Sequence, residues 1–343
     1  MLSAAQDGPD RGFYLVYAIP SATKLAGMKL FTLEATRDFA ERLGARTAAR
    51  LAAHEERDFE DGEFKVRALE SVRGEQVFIC QSLYSDARHT VNDKLCRLLF
   101  FAGALKDAGA AEVIALVPYL AYARKDRRTK SRDPVTTRYL AAMFEAVGVD
   151  TVVTADVHNL AAYENAFRCR KENLEAASLF VEHFQSTLGA DERVVVVSPD
   201  AGGVKRARVF AGLLGEAAGD PVDVAFMEKQ RSEGRVSGEA FAGEVDGATA
   251  IVVDDLISGG TTMVRAARAC MERGAAAVHC AATHGVFGAG SDSKLGAPEV
   301  QTVVVTDTIG GVRERCPGLQ SKLAVLDSST LFAAAVRRLS GTR

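Results

Sequence analysis

The chain has 343 residues, 48% of them hydrophobic and 25% charged, with a net charge of −3; this is enough for two cores, since one usually serves about 100–200 residues. The near-neutral balance excludes a global pull toward nucleic acid or an anionic membrane surface, and no apolar run approaches the about 18–20 residues of a membrane span. Six cysteines are scattered without a Cys-x-x-Cys pair, which points to reduced thiols in a cytoplasmic protein.

Residues 1–12 carry acids, Gly and Pro without the basic-then-apolar pattern of a secretory signal, and read as a loose leader. Phe13 to Ile19 is a strand candidate, and Leu33 to Leu43 reads as a helix stopped by Gly44. Asp61-Gly62 is a turn signal inside Phe59-Glu60-Asp61-Gly62-Glu63. An aromatic beside acids on a turn can stack a base and accept from its amino group; the same residues also make an ordinary turn. Val77 to Ser82 is a strand, Asn92 to Lys106 an amphipathic helix stopped by Gly109, and Glu112 to Leu120 a long apolar strand. Strand–helix alternation at this spacing predicts a parallel sheet with crossover helices.

The apolar strand runs into Arg124-Lys125-Asp126-Arg127-Arg128-Thr129-Lys130-Ser131-Arg132, in which six of nine residues are basic. At the carboxyl end of a core strand, such a run suits a polyphosphate. RNA is the rival ligand, but the run is short and lacks interleaved aromatics. Pro134 opens a helix from Val135 to Val147, ended by Gly148. Thr151 to Asp156 is a strand, and His158 lies just past its end, where it can hold a metal or a nucleotide or serve a structural role. Residues 160–174 read as the connection between halves, followed by a helix from Leu174 to Phe184.

Val194 to Ser198 is a buried strand ending in Pro199-Asp200-Ala201-Gly202-Gly203, then a helix with Lys205, Arg206 and Arg208. Val222 to Met227 is a strand. Glu228 to Gly243 is polar and Gly-bearing and reads as a loop long enough for a lid, with Lys229 and Arg231 as cations able to close on a phosphoryl group; the same composition also suits a hairpin. Thr249 to Val253 is an apolar β-branched strand. It leads into Asp254 and Asp255, then Ser258, Gly259, Gly260, Thr261 and Thr262, with a helix from about Met263. Unpaired N–H groups and the helix dipole favour an anion on such a turn, and the two acids beside it suit sugar hydroxyls or a metal. Ala277 to Thr283, Thr302 to Thr306 and Lys322 to Leu326 are later strands, and Leu331 to Leu339 a terminal amphipathic helix.

Taken in order, Phe-Glu-Asp-Gly-Glu (59–63), Ser-Val-Arg-Gly (71–74), Pro-Tyr-x-x-Tyr-Ala-Arg-Lys-Asp-Arg (118–127), Asp-Val-His (156–158), Ser-Pro-Asp-Ala-Gly-Gly (198–203), Lys-Gln-Arg (229–231), the Asp-Asp loop (254–262) and Ala-Thr-His-Gly (282–285) resemble the ribose-phosphate diphosphokinases, also called phosphoribosyl diphosphate synthetases. The resemblance implies an α/β fold of two phosphoribosyltransferase-like domains, each a mostly parallel sheet flanked by helices. They would span 13–165 (ATP side) and 166–343 (ribose 5-phosphate side), the terminal helix being free to pack back on the first. The implied reaction moves the diphosphoryl group of ATP to the anomeric hydroxyl of ribose 5-phosphate, with Mg2+ as cofactor, in a homo-oligomer that uses neither nucleic acid nor membrane. By resemblance, Phe59, Asp61, Glu63, Arg124, Lys125, Asp126 and His158 bind ATP, and His158 and Asp200 position the metal. Lys229 and Arg231 are catalytic, and Asp254, Asp255, Ser258, Gly259, Gly260, Thr261 and Thr262 bind ribose 5-phosphate. A phosphoribosyltransferase would share the Asp254 loop without needing the ATP-side residues, and a non-catalytic regulatory homologue would be expected to lack the lid cations or metal-site residues. Two departures stand out. The Gly pair lies one place earlier than in the commonest versions of the loop. Lys29-Leu30-Phe31 is followed by Thr32-Leu33-Glu34-Ala35 rather than by the Ser/Gly/Asn-rich turn that lies near regulatory anion contacts in typical members.

Overall fold

The computed structural model describes residues 15–16, 28–189, 192–232 and 235–341, with backbone alone at 15–16, 229–232 and 235–239. The leader and most of the Phe13–Ile19 strand lie outside the described residues; Leu15–Val16 of that stretch is strand β1. The chain divides into two units, one of residues 1–174 with 329–343, the other of residues 175–328.

In the first unit β2 (Met28–Thr32) leads through a 3-10 turn into α1 (Arg37–Thr47). Then come β3 (His54–Asp58), β4 (Phe64–Ala68), β5 (Gln76–Cys80), α2 (Val91–Asp107), β6 (Glu112–Val117), α3 (Thr136–Ala146), β7 (Thr151–Ala155), α4 (Leu160–Ala166) and β8 (Arg170–Leu174). A parallel sheet runs β2-β5-β6-β7-β8, and β1, β3 and β4 form a separate antiparallel sheet. Alternation along β5 and β6 supplies two cores. Val77, Ile79, Val113 and Ala115 pack with α2, α3 and α4 residues such as Leu98, Leu140 and Tyr163. Phe78, Cys80, Ile114 and Leu116 pack with Phe39 and Leu43 of α1 and with Phe332.

Phe332 belongs to the last helix, α10 (Ser329–Leu339), so the second unit is an excursion between β8 and that helix. It holds α5 (Ala177–Thr187), β9 (Val194–Ser198), α6 (Val204–Ala218), β10 (Asp223–Ser232), β11 (Arg235–Ala242), β12 (Thr249–Ile257), α7 (Thr261–Met271), β13 (Ala277–Gly285), α8 (Ser291–Leu295), β14 (Thr302–Thr306), α9 (Val312–Arg315) and β15 (Leu323–Leu326). Its sheet runs β11-β10-β9-β12-β13-β14-β15, parallel except for the β10–β11 pair. Residues buried on both faces of the central strands explain the near-continuous valine runs of β9 and β14.

Several expectations need correction. The stretch 160–174 is not a bare connection: it holds α4 and the edge strand β8, so the units part at Leu174/Glu175 rather than at 165/166. An exposed edge tolerates the polar residues of Arg170–Leu174. The Glu228–Gly243 stretch is mostly strand, since β10 continues to Ser232 and pairs back with β11. α1 starts at Arg37 and runs through Gly44; a Cβ there would stand 2.8 Å from the Ala49 carbonyl oxygen, so Gly44 serves a close approach rather than a stop. β6 ends at Val117, before Pro118. β12 continues through both acids to Ile257, and α7 begins at Thr261.

The terminal helix is tied to its own unit. Phe332 meets Phe39 edge-to-face at 5.4 Å between ring centroids, Arg46 Nε donates to Ser329 Oγ at 3.0 Å, and Arg337 Nη1 donates to the Arg46 carbonyl at 2.9 Å. Phe332 is fully buried, so Phe332→Ala is expected to cost about 3–5 kcal/mol. Chemical denaturation of wild type and variant measures this directly.

Candidate active site

In the second unit the chain reverses its order across the sheet between β9 and β12. The chain leaves β9 through α6 toward β10 on one side, and leaves β12 through α7 toward β13 on the other. The carboxyl ends of two such strands open the crevice where α/β sheets bind ligands. β9 pairs with β12 only as far as Val197–Val252, whereas β12 stays paired with β13 to Ile257–Gly285. Asp254 and Asp255 therefore stand past the end of β9 while still held in register by β13.

At the end of β9, the Asp200 carboxylate accepts from the Gly203 N–H at 3.0 Å and caps the turn into α6, and Ser198 Oγ donates to the Asp200 carbonyl at 2.7 Å. A Cβ on Gly203 would stand 2.7 Å from that Ser198 oxygen, so the second Gly is needed for the turn to close on the strand. The first turns of α6 then bring Arg206 to the acids: its Nη1 lies 3.3 Å from Asp254 Oδ1 and 3.6 Å from Asp255 Oδ1. Asp254 Oδ1 also accepts from the Asp255 N–H at 2.9 Å. Asp255 is buried and Asp254 partly so. Burial, then the charge of Asp255 and a hydrogen bond from it, push the Asp254 carboxyl well above the usual carboxylate range, against the lowering pull of Arg206.

The Ser258–Thr262 loop follows. Gly260 takes a left-handed conformation (φ 75°) as N-cap of α7, and a Cβ there would stand 2.9 Å from Leu295 Cγ. The Gly pair therefore sits where this turn needs it. Thr261 and Thr262 form the first turn of α7, whose leading N–H groups and dipole face the loop. From α8, Lys294 Nζ donates to Thr261 Oγ1 at 3.2 Å.

The first unit carries the other candidate residues at the carboxyl ends of β6 and β7 and on a hairpin. Arg124 is exposed and Asp126 half-buried; Asn159 Nδ2 donates to Asp126 Oδ2 at 2.6 Å, which fastens the basic run to the turn holding His158. Lys125 is turned inward on its own loop. Its Nζ donates to Asp133 Oδ2 at 2.8 Å and Thr129 Oγ1 at 3.1 Å, and the Thr129 and Lys130 N–H groups also donate to Asp133. Those donors, Lys125 first, hold the Asp133 carboxyl well below the usual carboxylate range. Tyr122 and Asp156 have positive φ of 62° and 31° at the ends of these strands, a costly geometry typical of functional edges.

The 59–63 turn joins β3 to β4. Gly62, at φ 90°, donates to the Phe59 carbonyl at 3.1 Å, and Asp61 Oδ1 accepts from the Glu63 N–H at 3.0 Å. Phe59, Asp61 and Glu63 are exposed. Arg97 of α2 anchors the hairpin's base: it pairs with Asp58, and its guanidinium lies 4.5 Å from the centroid of Phe64. Lys229 and Arg231 are placed by backbone only. They lie on β10, opposite Glu239 and Val236, with a bulge between Gln230 and Arg231; their side chains lie outside the described residues.

Comparison with known proteins places this arrangement. The family model for the N-terminal domain of ribose phosphate pyrophosphokinase matches residues 28–148, and that for the phosphoribosyl synthetase-associated domain matches 226–342. A ribose-phosphate pyrophosphokinase of Vibrio parahaemolyticus is 37% identical, over 91% of this chain and 96% of that protein. Ribose-phosphate pyrophosphokinase 1 of Streptococcus pyogenes is 35% identical, over 92% of this chain and 95% of that protein. The chain belongs to the ribose-phosphate pyrophosphokinase family. It is an enzyme, and its fold is that of a phosphoribosylpyrophosphate synthetase from Mycobacterium smegmatis, with a TM-score of 0.83 and 31% identity over 91% of this chain and 98% of that one. Among the described residues no helix is long and apolar enough to cross a membrane.

Two residues escaped the motif reading. Arg206 lies six positions after Asp200, where the only sequence signal is a basic cluster on a helix, and Lys294 belongs to no motif at all. The raised Asp254 carboxyl carries a sign that can be checked. The folded state holds a proton that the unfolded chain releases at ordinary carboxylate pH, so this group's contribution to stability falls as pH rises from the unfolded value, 3.8, through its raised folded value. Asp254→Asn should therefore gain in thermal midpoint relative to wild type as pH increases over that window, and show no such trend below it. A midpoint difference flat from pH 3 to pH 8 would contradict the arrangement.

Proposed function

We propose that this enzyme transfers the diphosphoryl group of ATP to the anomeric hydroxyl of ribose 5-phosphate, releasing AMP and 5-phosphoribosyl 1-diphosphate. The observation that carries the reading is the β12–α7 site. Two acids, bridged by Arg206, stand on a strand that leads within a few residues to a Gly260-capped helix N-terminus. A sugar phosphate offers the complementary groups, hydroxyls for the acids and a phosphate dianion for the N–H groups of the loop.

Phosphoryl-type transfer needs alignment and charge neutralisation more than covalent help from the protein. Asp254 and Asp255 receive the ribose hydroxyls, and Ser258, Gly259, Gly260, Thr261 and Thr262 hold the 5-phosphate. Phe59 stacks adenine while Asp61 and Glu63 accept from it. Arg124 contacts the phosphates of ATP, and Lys125 and Asp126 fix the loop that presents it. Lys229 and Arg231 stabilise charge on the transferring group.

Magnesium suits the donor chemistry. Asp200 and the Asp254–Asp255 pair are hard oxygen donors, and the Asp254 carboxyl is raised first by burial and then by the charge of Asp255, the second of which a cation would offset. Among the described residues no group of three or more His, Cys, Asp or Glu side chains is clustered to hold a metal. Few protein ligands plus substrate oxygens is the usual way Mg2+ is bound. By the family resemblance, Asp200 in the second unit and His158 in the first would each help hold such an ion. When bound, the ion supplies charge neutralisation on the triphosphate.

A coupled assay of purified protein with ATP, Mg2+ and ribose 5-phosphate is expected to give AMP and phosphoribosyl diphosphate in equal amounts; neither product, across several donors, would favour a non-catalytic homologue. Lys229→Ala should lower turnover by orders of magnitude with little change in either KM; unchanged turnover would remove Lys229 from the chemistry. Asp255→Asn should weaken use of ribose 5-phosphate, and normal kinetics in that variant would show that the acids serve another purpose.

A further inference from the structure

We propose that Lys294 is an additional contact to the phosphate of ribose 5-phosphate, supplied by α8 rather than by the Asp254 loop itself. The inference rests on the ribose 5-phosphate reading of that loop and adds a residue to it.

The segment after β13 is built onto the loop. The Phe287 N–H donates to the Ile257 carbonyl and the Gly288 N–H to the Ser258 carbonyl, both at 3.0 Å. The Ser291 N–H then donates to the Gly288 carbonyl at 3.0 Å, which starts α8. Leu295, fully buried, fills the space that a side chain on Gly260 would need. Gly260 is therefore demanded twice, by its positive φ and by the approach of α8. This docking fixes where the neighbouring residue can reach. Lys294 is exposed, yet its Nζ lies 3.2 Å from Thr261 Oγ1 and 3.9 Å from the place a Cβ would take on Gly259. The bare Gly259 leaves that side of the loop open to the ammonium.

The charge bookkeeping favours a cation here. A helix N-terminus presents the equivalent of about half a positive charge, and Asp254 and Asp255, with Arg206 beside them, stand on the same strand-to-helix connection. A phosphate dianion on the first turn of α7 thus meets less positive charge than it carries. A lysine acts at such a site as a point charge, without the geometric demand of a guanidinium. Lys294 donates to the Thr261 hydroxyl, whose own hydrogen can turn toward a phosphate oxygen while its lone pair accepts from the ammonium. An exposed contact of this kind contributes little to folding, so its use lies in binding.

The test compares wild type, Lys294→Gln and Lys294→Arg in the full-length protein. Lys294→Gln should raise the KM for ribose 5-phosphate about tenfold, equivalent to the loss of one charge-assisted contact, while kcat, the KM for ATP and the thermal midpoint stay within narrow limits. Lys294→Arg should restore most of the loss, and added salt should weaken ribose 5-phosphate binding more steeply in wild type than in the Gln variant. A purely structural lysine would instead shift the thermal midpoint and both KM values together, and that result overturns the proposal. So does an unchanged ribose 5-phosphate KM in a Gln variant that turns over normally. Calorimetric titration with ribose 5-phosphate separates this from the parent reading. Wild type that binds the sugar phosphate no better than the Gln variant overturns the Lys294 assignment alone, whereas wild type that binds none at all removes the loop assignment and Lys294 with it.

Discussion

Parallel strands buried on both faces leave polar chemistry nowhere to stand except beyond their ends. β9 is four valines closed by Ser198, β14 is three valines between Thr302 and Thr306, and β12 is apolar from Ala250 to Val253. Burial on both faces makes an unpaired interior charge costly, so the acids of β12 stand toward its carboxyl edge. The unequal lengths of β9 and β12 then do the selecting. Because β9 stops at Ser198 while β13 continues to accompany β12, Asp254 and Asp255 gain a crevice on one side and a rigid partner on the other. The Ser258–Thr262 loop inherits its place from the same strand. The second unit's site is therefore a consequence of strand register before it is a consequence of any side chain.

The two units solve a similar problem with different materials. In the second, Arg206 and the acids form a compact ionic group that fixes carboxylates against their mutual repulsion. In the first, a long basic segment would repel itself if left open. Asp133 prevents this by gathering Lys125, Thr129 and two backbone N–H groups onto one carboxylate. Asn159 performs a similar service for Asp126. The segment is thus a shaped turn, and its remaining cations, Arg124 among them, are presented from a fixed base. Positioning on rigid supports is what transfer chemistry of this kind demands.

Much of this was legible in the residues, and what was not has physical reasons. The valine and β-branched runs, the amphipathic helices and glycines such as Gly109 and Gly148 located most elements, and the motif order located the family. The misread elements are those whose partners lie far off in the chain. β8, Arg-Lys-Glu-Asn-Leu, is a polar edge strand recognisable only beside β7. The outer part of β10 and all of β11 carry polar residues and glycines at an edge of their sheet, and composition alone made 228–243 a loop. Two adjacent acids suggested the end of a strand, yet pairing to β13 carried β12 past them. Arg206 and Lys294 reach the site through helix phase and the docking of α8, neither of which leaves a local pattern. Lys125 carries a bond that its motif does not foretell: its ammonium pairs with Asp133 of its own loop.

The return of α10 to the first unit has a consequence for how the protein is made. Phe39, Leu43, Phe78 and Leu116 line a surface that Phe332, Ala335 and Val336 cover. During synthesis the residues up to Leu174 leave the ribosome first, but their covering helix follows only after the whole of 175–328. The half that begins first is thus completed last, and in the interval it offers an apolar face to chaperones or to other nascent chains. Any sequence change that slows the folding of the inserted half lengthens that interval, although it touches no residue of the exposed face.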